Sequence, residues 1–314
     1  MDPSGRGQGE FPAGPETERQ EMERIMRSII LMVESGSDVT PALAERYGIE
    51  VVPMHVTFGE ETRDDGFFST EDIVTYFQRT GKIPKTSGCN PEDFAKAFDR
   101  VHAAHPEAKI LYLAYSAVTT CSFDSAAVAA EGRDYITALD TRQVSAGQCA
   151  VTIRVARLLE EHPEWTVEQA AEAARRISDR TRMSFIPRNL DFPRAGGRVS
   201  NVAALAGNLL RIIPCVDIRE GRLVVTKKYR GKLEKVIPAF MKEYVEENGL
   251  ERELLWAVVT PGFTEDLKQV VRGAAEDLGF RAVEFIPSGG VITTHGGPSA
   301  LGIAGYRPVD LGGI

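Results

Sequence analysis

Cysteine is scarce in this chain. Only four occur in 314 residues, Cys89, Cys121, Cys149 and Cys215. No two stand at the Cys-x-x-Cys spacing of a zinc site or a dithiol redox pair. Scattered single thiols suit a reducing compartment, so a cytoplasmic location is expected. Long apolar runs are missing too. None approaches the ~18 residues of a membrane span, and the opening residues lack the basic-then-apolar order of a secretory signal. Positive charge is in deficit, with 37 Lys+Arg against 45 Asp+Glu and a net charge of -8. A nucleic-acid partner is therefore not expected, because such binding needs cations to displace counterions from phosphate. The familiar catalytic signatures are also absent: no G-x-S-x-G elbow, no phosphate-binding P-loop, no G-x-G-x-x-G after the first apolar run and no H-E-x-x-H.

What is present is core-forming material, with 43% hydrophobic and 26% charged residues. At this length that composition implies two domains. Residues 1–27 are rich in Gly, Pro, Glu and Arg and read as a flexible extension, with a short helix over 16–26. From Ser28 onward, short apolar runs alternate with helical patterns. Strands are expected over 28–33, 50–58, 109–115 and 135–139. Helices are expected over 41–47, 70–79, 91–104, 145–161 and 167–182. Ser69 is the expected cap of the second helix. Asn90 followed by Pro91 caps the third, and Thr166 with Gln169 makes a capping box for the last. Alternating strands and helices imply βαβ units and a parallel sheet over 28–187. Beyond Pro187–Pro193 the pattern changes. A helix over 201–210, two strands about a turn at Glu220-Gly221, a helix over 233–247, a strand over 254–260, a helix over 265–278 and a final strand over 281–286 predict a mixed α/β domain over 188–314.

Polar segments follow several of the predicted strands: Glu34-Ser35-Gly36-Ser37-Asp38, then Ser116 to Ser122, then Asp140 to Ser145. In an open parallel sheet, ligands bind beyond the carboxyl ends of the strands. Hydroxyls and free helix N–H groups there suit an anion. Further polar clusters stand at Lys85-Thr86-Ser87-Gly88-Cys89-Asn90, at Gly196-Gly197-Arg198-Val199-Ser200 and at Thr293-Thr294-His295-Gly296-Gly297-Pro298. A basic run over Lys227–Lys232 is either a solvated surface or a docking patch for an acidic or phosphate-bearing partner.

Taken in order, these segments resemble the DegV family of bacterial fatty-acid-binding proteins. Tyr47-Gly48-Ile49-Glu50-Val51-Val52-Pro53 is similar to a family Tyr-Gly-Ile-x-Val-Val-Pro. Pro84-Lys85-Thr86-Ser87 matches the start of a Thr-Ser-Gln-Pro motif. Ser116 to Ala126 resembles Ser-Ser-x-Leu-Ser-Gly-Thr-Tyr-x-Ser-Ala, with Thr120 at a ligand-binding serine. Gly196 to Ser200 resembles Gly-Gly-Arg-Ile-Ser, and His295-Gly296-Gly297-Pro298 resembles His-x-Gly-Pro. This chain departs from the pattern at Glu34, at Gly88-Cys89-Asn90 and at Thr120-Cys121-Ser122, which reshapes the expected head-group pocket.

The resemblance implies a two-domain α/β carrier that performs no chemistry of its own and needs no cofactor or metal. It implies a long-chain fatty acid in a tunnel between the domains, with its carboxylate held by Thr86 or Ser87 and by Thr120. Arg198 and His295 would stand near that carboxylate, and Ser35, Ser116, Gly197 and Gly296 would support the site. It further implies delivery to an ATP-dependent fatty acid kinase subunit that forms an acyl phosphate, with transient membrane-surface contact for lipid exchange. Burial alone would supply the affinity, since at ~0.8 kcal/mol per CH₂ a C16 chain offers roughly 10 kcal/mol before ordering costs. Two rival readings stand beside it. One is an acyl hydrolase or transferase with Thr120 or Ser87 as nucleophile, His295 as base and Asp38 or Asp140 as orienter. The other is a phosphate- or nucleotide-binding protein using the same loops.

Overall fold

The computed structural model describes residues 28–188, 190–200 and 212–314. The extension 1–27 and the helix expected over 201–210 lie outside the described residues. The first half runs β1 (Ile29–Glu34), α1 (Pro41–Tyr47), β2 (Glu50–Val52), β3 (His55–Phe58), β4 (Glu61–Asp64), α2 (Glu71–Thr80), β5 (Lys85–Ser87) and α3 (Pro91–Ala104). It continues through β6 (Lys109–Ala114), α4 (Ser122–Ala130), β7 (Ile136–Asp140), α5 (Ser145–Glu161) and α6 (Val167–Arg180).

Four of these strands form an all-parallel sheet in the order β2-β1-β6-β7. All six residues of β1 are buried, which is the signature of a strand covered on both faces. Its odd residues Ile29, Leu31 and Val33 join one core cluster, and its even residues Ile30 and Met32 join another. Strand β6 divides the same way, with Leu111 and Leu113 on one side and Ile110, Tyr112 and Ala114 on the other. Helices α3 and α4 cover the second face through Phe94, Phe98, Val101, Ala126 and Ala129.

The strand expected over 50–58 is two strands in two different sheets. Pro53 has no N–H to continue the ladder, so the chain leaves the parallel sheet after Val52. Strands β3, β4 and β5 then form a separate antiparallel sheet in the order β4-β3-β5. The expected caps hold for α3 and α6: Asn90 with Asp93, and Thr166 with Gln169, both make complete capping boxes. Helix α2 starts one residue later than expected, with Thr70 rather than Ser69 at the cap position.

The second half runs β8 (Thr181–Ile186), α7 (Asp191–Gly196), β9 (Val199–Ser200), β10 (Ile212–Arg219), β11 (Arg222–Arg230), α8 (Leu233–Asn248), β12 (Leu254–Val259), α9 (Glu265–Asp277), β13 (Ala282–Pro287), α10 (Gly290–Gly296) and β14 (Leu301–Tyr306). Seven strands form one mixed sheet, ordered β13-β12-β14-β8-β10-β11-β9. The turn between β10 and β11 puts Glu220 at φ 50° and Gly221 at φ 78°. Two consecutive left-handed residues make the tight hairpin turn that matches strand twist.

Two strands at the middle of this sheet were not expected from the sequence. The helix expected to reach residue 182 ends at Arg180, and β8 follows at once. Strand β14 lies beyond the strand expected to be the last. Its Gly302 and Gly305 lower its local strand preference, and its place comes from antiparallel ladders to β12 and β8 on its two sides. Strand β8 falls within the expected first domain, but among the described residues its ladders run to β14 and β10 of the second sheet.

Helix α5 is the layer shared by both sheets. It buries eleven residues, from Ser145 to Ala156. One continuous core cluster joins it to Leu31 and Leu113 of the first sheet and to Met183, Trp256 and Ala304 of the second. A second tie is polar. Asp65, in the loop after β4, accepts the N–H groups of Gly290 and Val291 at 2.6 and 3.2 Å and the Ser35 hydroxyl at 2.9 Å. Asp38 accepts the Gly289 N–H at 2.7 Å and the Ser145 hydroxyl at 2.6 Å. The start of α10 is thereby fastened to two turns of the first half.

Burial pushes the Asp38 carboxyl up from 3.8 to about 7, with neighbouring Asp65 adding to it, against the pull of its two hydrogen bonds. A carboxyl raised in the folded state contributes stability that is full below the unfolded value and is lost as pH rises through the folded one. Asp38→Asn keeps an acceptor for Gly289 but does not titrate. Its urea midpoint, compared with that of the parent chain, is expected to gain steadily as pH is raised from about 4 to about 7. A difference that does not change with pH would contradict the assignment.

Candidate ligand-binding site

A cavity of about 780 Å³, counting its open mouth, lies where β5, the 115–120 segment, the start of α5, the second sheet and α10 meet. Its long walls are apolar, built from Met54, Val144, Met183, Phe185, Leu223, Val258, Val291 and Ile292. Polar residues line it as well: Thr86, Thr119, Thr120, Ser145, Arg198, Thr260 and His295.

Thr86 Oγ1 lies 2.8 Å from His295 Nε2, a hydrogen bond between residues 209 apart in sequence. Alternation along β5 decides which hydroxyl takes part. Thr86 is half-buried and lines the cavity, whereas Ser87 is exposed and is not a wall residue. Thr120 Oγ1 lies 3.1 Å from Ser122 Oγ, and Ser122 Oγ accepts the Cys89 N–H at 3.2 Å. This close approach explains Gly88: a Cβ there would overlap both hydroxyls. Gly196 has the same role on the other side, where a Cβ would overlap His295 Nδ1.

Burial, with the Arg198 guanidinium nearby, pushes His295 down to about 4, so the ring is neutral at pH 7. Its Nδ1 is buried and has no hydrogen-bond partner among the described residues. Arg198 donates to Gly196 O at 3.0 Å, lies 3.5 Å from Thr119 O, and is otherwise exposed at the cavity. With His295 neutral, Arg198 is the cation among the wall residues.

The remaining sequence-expected residues stand one layer back. Ser116 is buried and donates to Gly221 O at 2.8 Å, fastening the β10–β11 hairpin tip over the site. Ser35 bridges Asp65 and the Met54 N–H. Gly197, at φ 64°, ends α7 in a left-handed turn. Gly296 is itself a wall residue. Sequence reasoning missed Asp65, which nothing in its local pattern marks, and Tyr115, a wall residue at the end of β6. Glu34 is not a wall residue. It is buried under the site, where it accepts from Tyr112 Oη, from the Tyr115 N–H at 3.0 Å and from Gln148 Nε2 at 3.1 Å. Burial pushes its carboxyl up against those bonds.

The geometry does not assemble the catalytic relay of the hydrolase reading. His295 bonds to Thr86 rather than to Thr120 or Ser87. Asp38 is engaged by Gly289 and Ser145, and Asp140 accepts the N–H groups of Ala117 and Arg142. Among the described residues no cluster of three His, Cys, Asp or Glu could hold a metal ion, and no helix is long and apolar enough to cross a membrane. In the basic run, Lys227 is paired with Glu243 and Glu247, while Lys228, Arg230 and Lys232 are exposed.

Mainly apolar walls, several hydroxyls and one Arg thus meet where the parallel-sheet and mixed-sheet regions of an α/β fold come together. By sequence the chain belongs to the DegV family, whose model, described as an uncharacterised protein family, matches residues 28–307. It is 31% identical over 283 residues to a DegV domain-containing protein of Deinococcus radiodurans, covering 88% of this chain and 98% of that one. Among solved structures it resembles a Thermus thermophilus DegV family protein described for its fatty acid binding, with TM-score 0.80 and 26% identity over 90% of this chain and all of that one. A Streptococcus pneumoniae fatty acid kinase B3 protein loaded with linoleic acid shares the fold, with TM-score 0.77 and 17% identity over 90% of this chain and all of that one.

Gly196→Ala tests the tight packing around His295. Its methyl must displace the His295 ring, and overpacking of this kind costs about 1–3 kcal/mol. A lower denaturant midpoint together with weakened ligand binding is the expected outcome. Unchanged values for both would show that the ring has room to move.

Proposed function

We propose that this protein binds a long-chain fatty acid, with the acyl chain along the apolar walls and the carboxylate at the Thr86–Thr120–Arg198–His295 group. The observation that carries the reading is a mainly apolar lining that also holds a linked polar group, Thr86 bonded to His295 and Arg198 beside Thr119, with Arg198 its one cation. A phosphate or nucleotide would leave those apolar walls without a partner and would call for more than one cation.

One tautomer of His295 suits a carboxylate. A carboxylate offers only acceptors, so it needs donors. With the proton on Nε2, His295 donates to Thr86 Oγ1 and frees the Thr86 O–H for the ligand. The orphan at Nδ1 is then a lone pair, which is tolerated inside proteins more readily than an orphan N–H. Arg198 adds a charged donor, and Thr120 a second hydroxyl. Delivery of the bound acid to an ATP-dependent kinase subunit, with Arg198 at the mouth to meet the acyl phosphate, extends this reading. The kinase-system name of the Streptococcus pneumoniae neighbour supports that extension. A transient membrane-surface contact would serve lipid exchange.

Competition with a fluorescent acyl probe tests the site. Thr86→Ala combined with Thr120→Ala removes two donors to a buried carboxylate and is expected to weaken binding of a C16 acid by about 3–6 kcal/mol, since each bond to a charged group contributes roughly 1.5–3. Unchanged affinity would move the carboxylate elsewhere. Arg198→Ala is expected to reduce kinase-coupled acyl-phosphate formation more than binding, and equal losses in the two assays would contradict a role at the mouth.

A further inference from the structure

The second sheet lines the cavity in cross-strand rows, since paired residues of antiparallel strands share a face. In the first row Thr260 faces Ala300, whose N–H donates to Thr260 Oγ1 at 2.7 Å. Two residues along, Val258 of β12, Gly302 of β14 and Phe185 of β8 make the second row. All five are wall residues. The third row is Trp256, Ala304 and Met183. Of these, Met183 alone is a wall residue. Trp256 and Ala304 are buried in the core cluster shared with α5. On this side, then, the cavity runs along two rows and closes against the third. Helix α10 meets the first of them: a Cβ on Gly296, the neighbour of His295, would lie 3.6 Å from both Ala300 Cβ and Thr260 Cγ2. Successive rows are roughly 7 Å apart, at about 3.4 Å per residue. Gly302 stands in the second row, in the middle of its three strands.

The fold does not force a glycine there. Within a strand, glycine is disfavoured relative to alanine because it loses more entropy and packs no side chain. At Gly88 and Gly196 a Cβ would overlap neighbouring atoms. At Gly302 it would not. The φ of Gly302 is outside the left-handed region. A Cβ would stand 3.5 Å from Met183 Cε, 3.6 Å from Phe185 Cβ and 3.9 Å from the Ser184 carbonyl oxygen, which is ordinary van der Waals contact. The protein's own packing has room for a side chain, and the space left by its absence belongs to the cavity. A glycine inside a strand often marks a place where a ligand comes close to the backbone.

We propose that Gly302 is a specificity-determining residue that sets the length of acyl chain the cavity takes, with the tail crossing β14 over it between Val258 and Phe185. The proposal rests on the fatty-acid reading above and adds the route of the tail. A side chain at 302 would fill the second row and leave the methylenes beyond it without a buried place. Each buried methylene contributes about fourfold in affinity.

Gly302→Val suits a strand and fills the gap, and Gly302→Ala adds a single methyl. Straight-chain acids from C8 to C18 are titrated against a fluorescent acyl probe on the parent chain and both variants, with melting temperatures of the unliganded proteins recorded alongside. In the parent, affinity is expected to rise with chain length through C16. In Gly302→Val the rise is expected to stop at a shorter acid, so that the ratio of C16 to C8 affinity falls at least about tenfold, as loss of two buried methylenes implies. Gly302→Ala is expected to lower the same ratio by less and to melt no lower than the parent, so it carries the test if the valine variant does not fold. An equal loss at every chain length, or no loss at any, would overturn the proposal. So would a lower melting temperature with an unchanged ratio, because the space would then serve the fold. Parent protein that binds none of these acids would remove the fatty-acid reading and this proposal together. That result is distinct from the others, in which the parent binds.

Discussion

The site depends on two buried carboxylates that hold the start of helix α10. Asp38 and Asp65 come from turns after β1 and β4, and they collect N–H groups of Gly289, Gly290 and Val291 from the far end of the chain. Those N–H groups have no partner inside the helix. Hydrogen bonds from N–H to a charged or partly charged oxygen are the strong kind. Through them α10 is fixed to the first half, and with it His295, which meets Thr86 of β5 at 2.8 Å.

The apolar part of the site rests on α5. Its buried face belongs to both sheets through one continuous core, so the two halves of the protein share a layer instead of merely touching. The cavity opens at the N-terminal end of that helix, where Val144 and Ser145 are wall residues. Ser145 is held at φ 46° with its hydroxyl on Asp38. A strained residue that is fixed on both sides is the kind found where a fold holds a ligand wall in place. The hairpin tip at Gly221, docked on Ser116, closes the same region from the other side.

Much of the fold was legible in the sequence because its signals are local. The caps at Asn90 and Thr166, Pro91 at the first turn of α3, and the Glu220-Gly221 turn each act within a few residues. What stayed hidden was set by distant partners. Strand β14 carries two glycines and takes its place from β8 and β12 on its flanks. Strand β8 follows a helix without a break. Pro53 was visible, but that it splits one strand between two sheets was not. At the site, motif order brought Thr86, Thr120, Arg198 and His295 forward, and these four do converge. Which of Thr86 and Ser87 faces inward depends on the pairing of β5 with β3, at His55, Val56 and Thr57. Asp65 acts through residues 30, 225 and 226 positions away, and nothing local marks it.

On the proposed reading, the apolar walls beside α5 and the two sheets take the tail of a fatty acid, and the polar groups beside α10 take its carboxylate. Native mass spectrometry of protein purified from bacterial cells, with organic extraction of the same sample, tests this most directly. The account predicts a mass added in one-to-one ratio and an extracted long-chain fatty acid that rebinds saturably to the emptied protein. Protein that repeatedly carries no such acid, and that shows no saturable binding of C14–C18 acids, would contradict it.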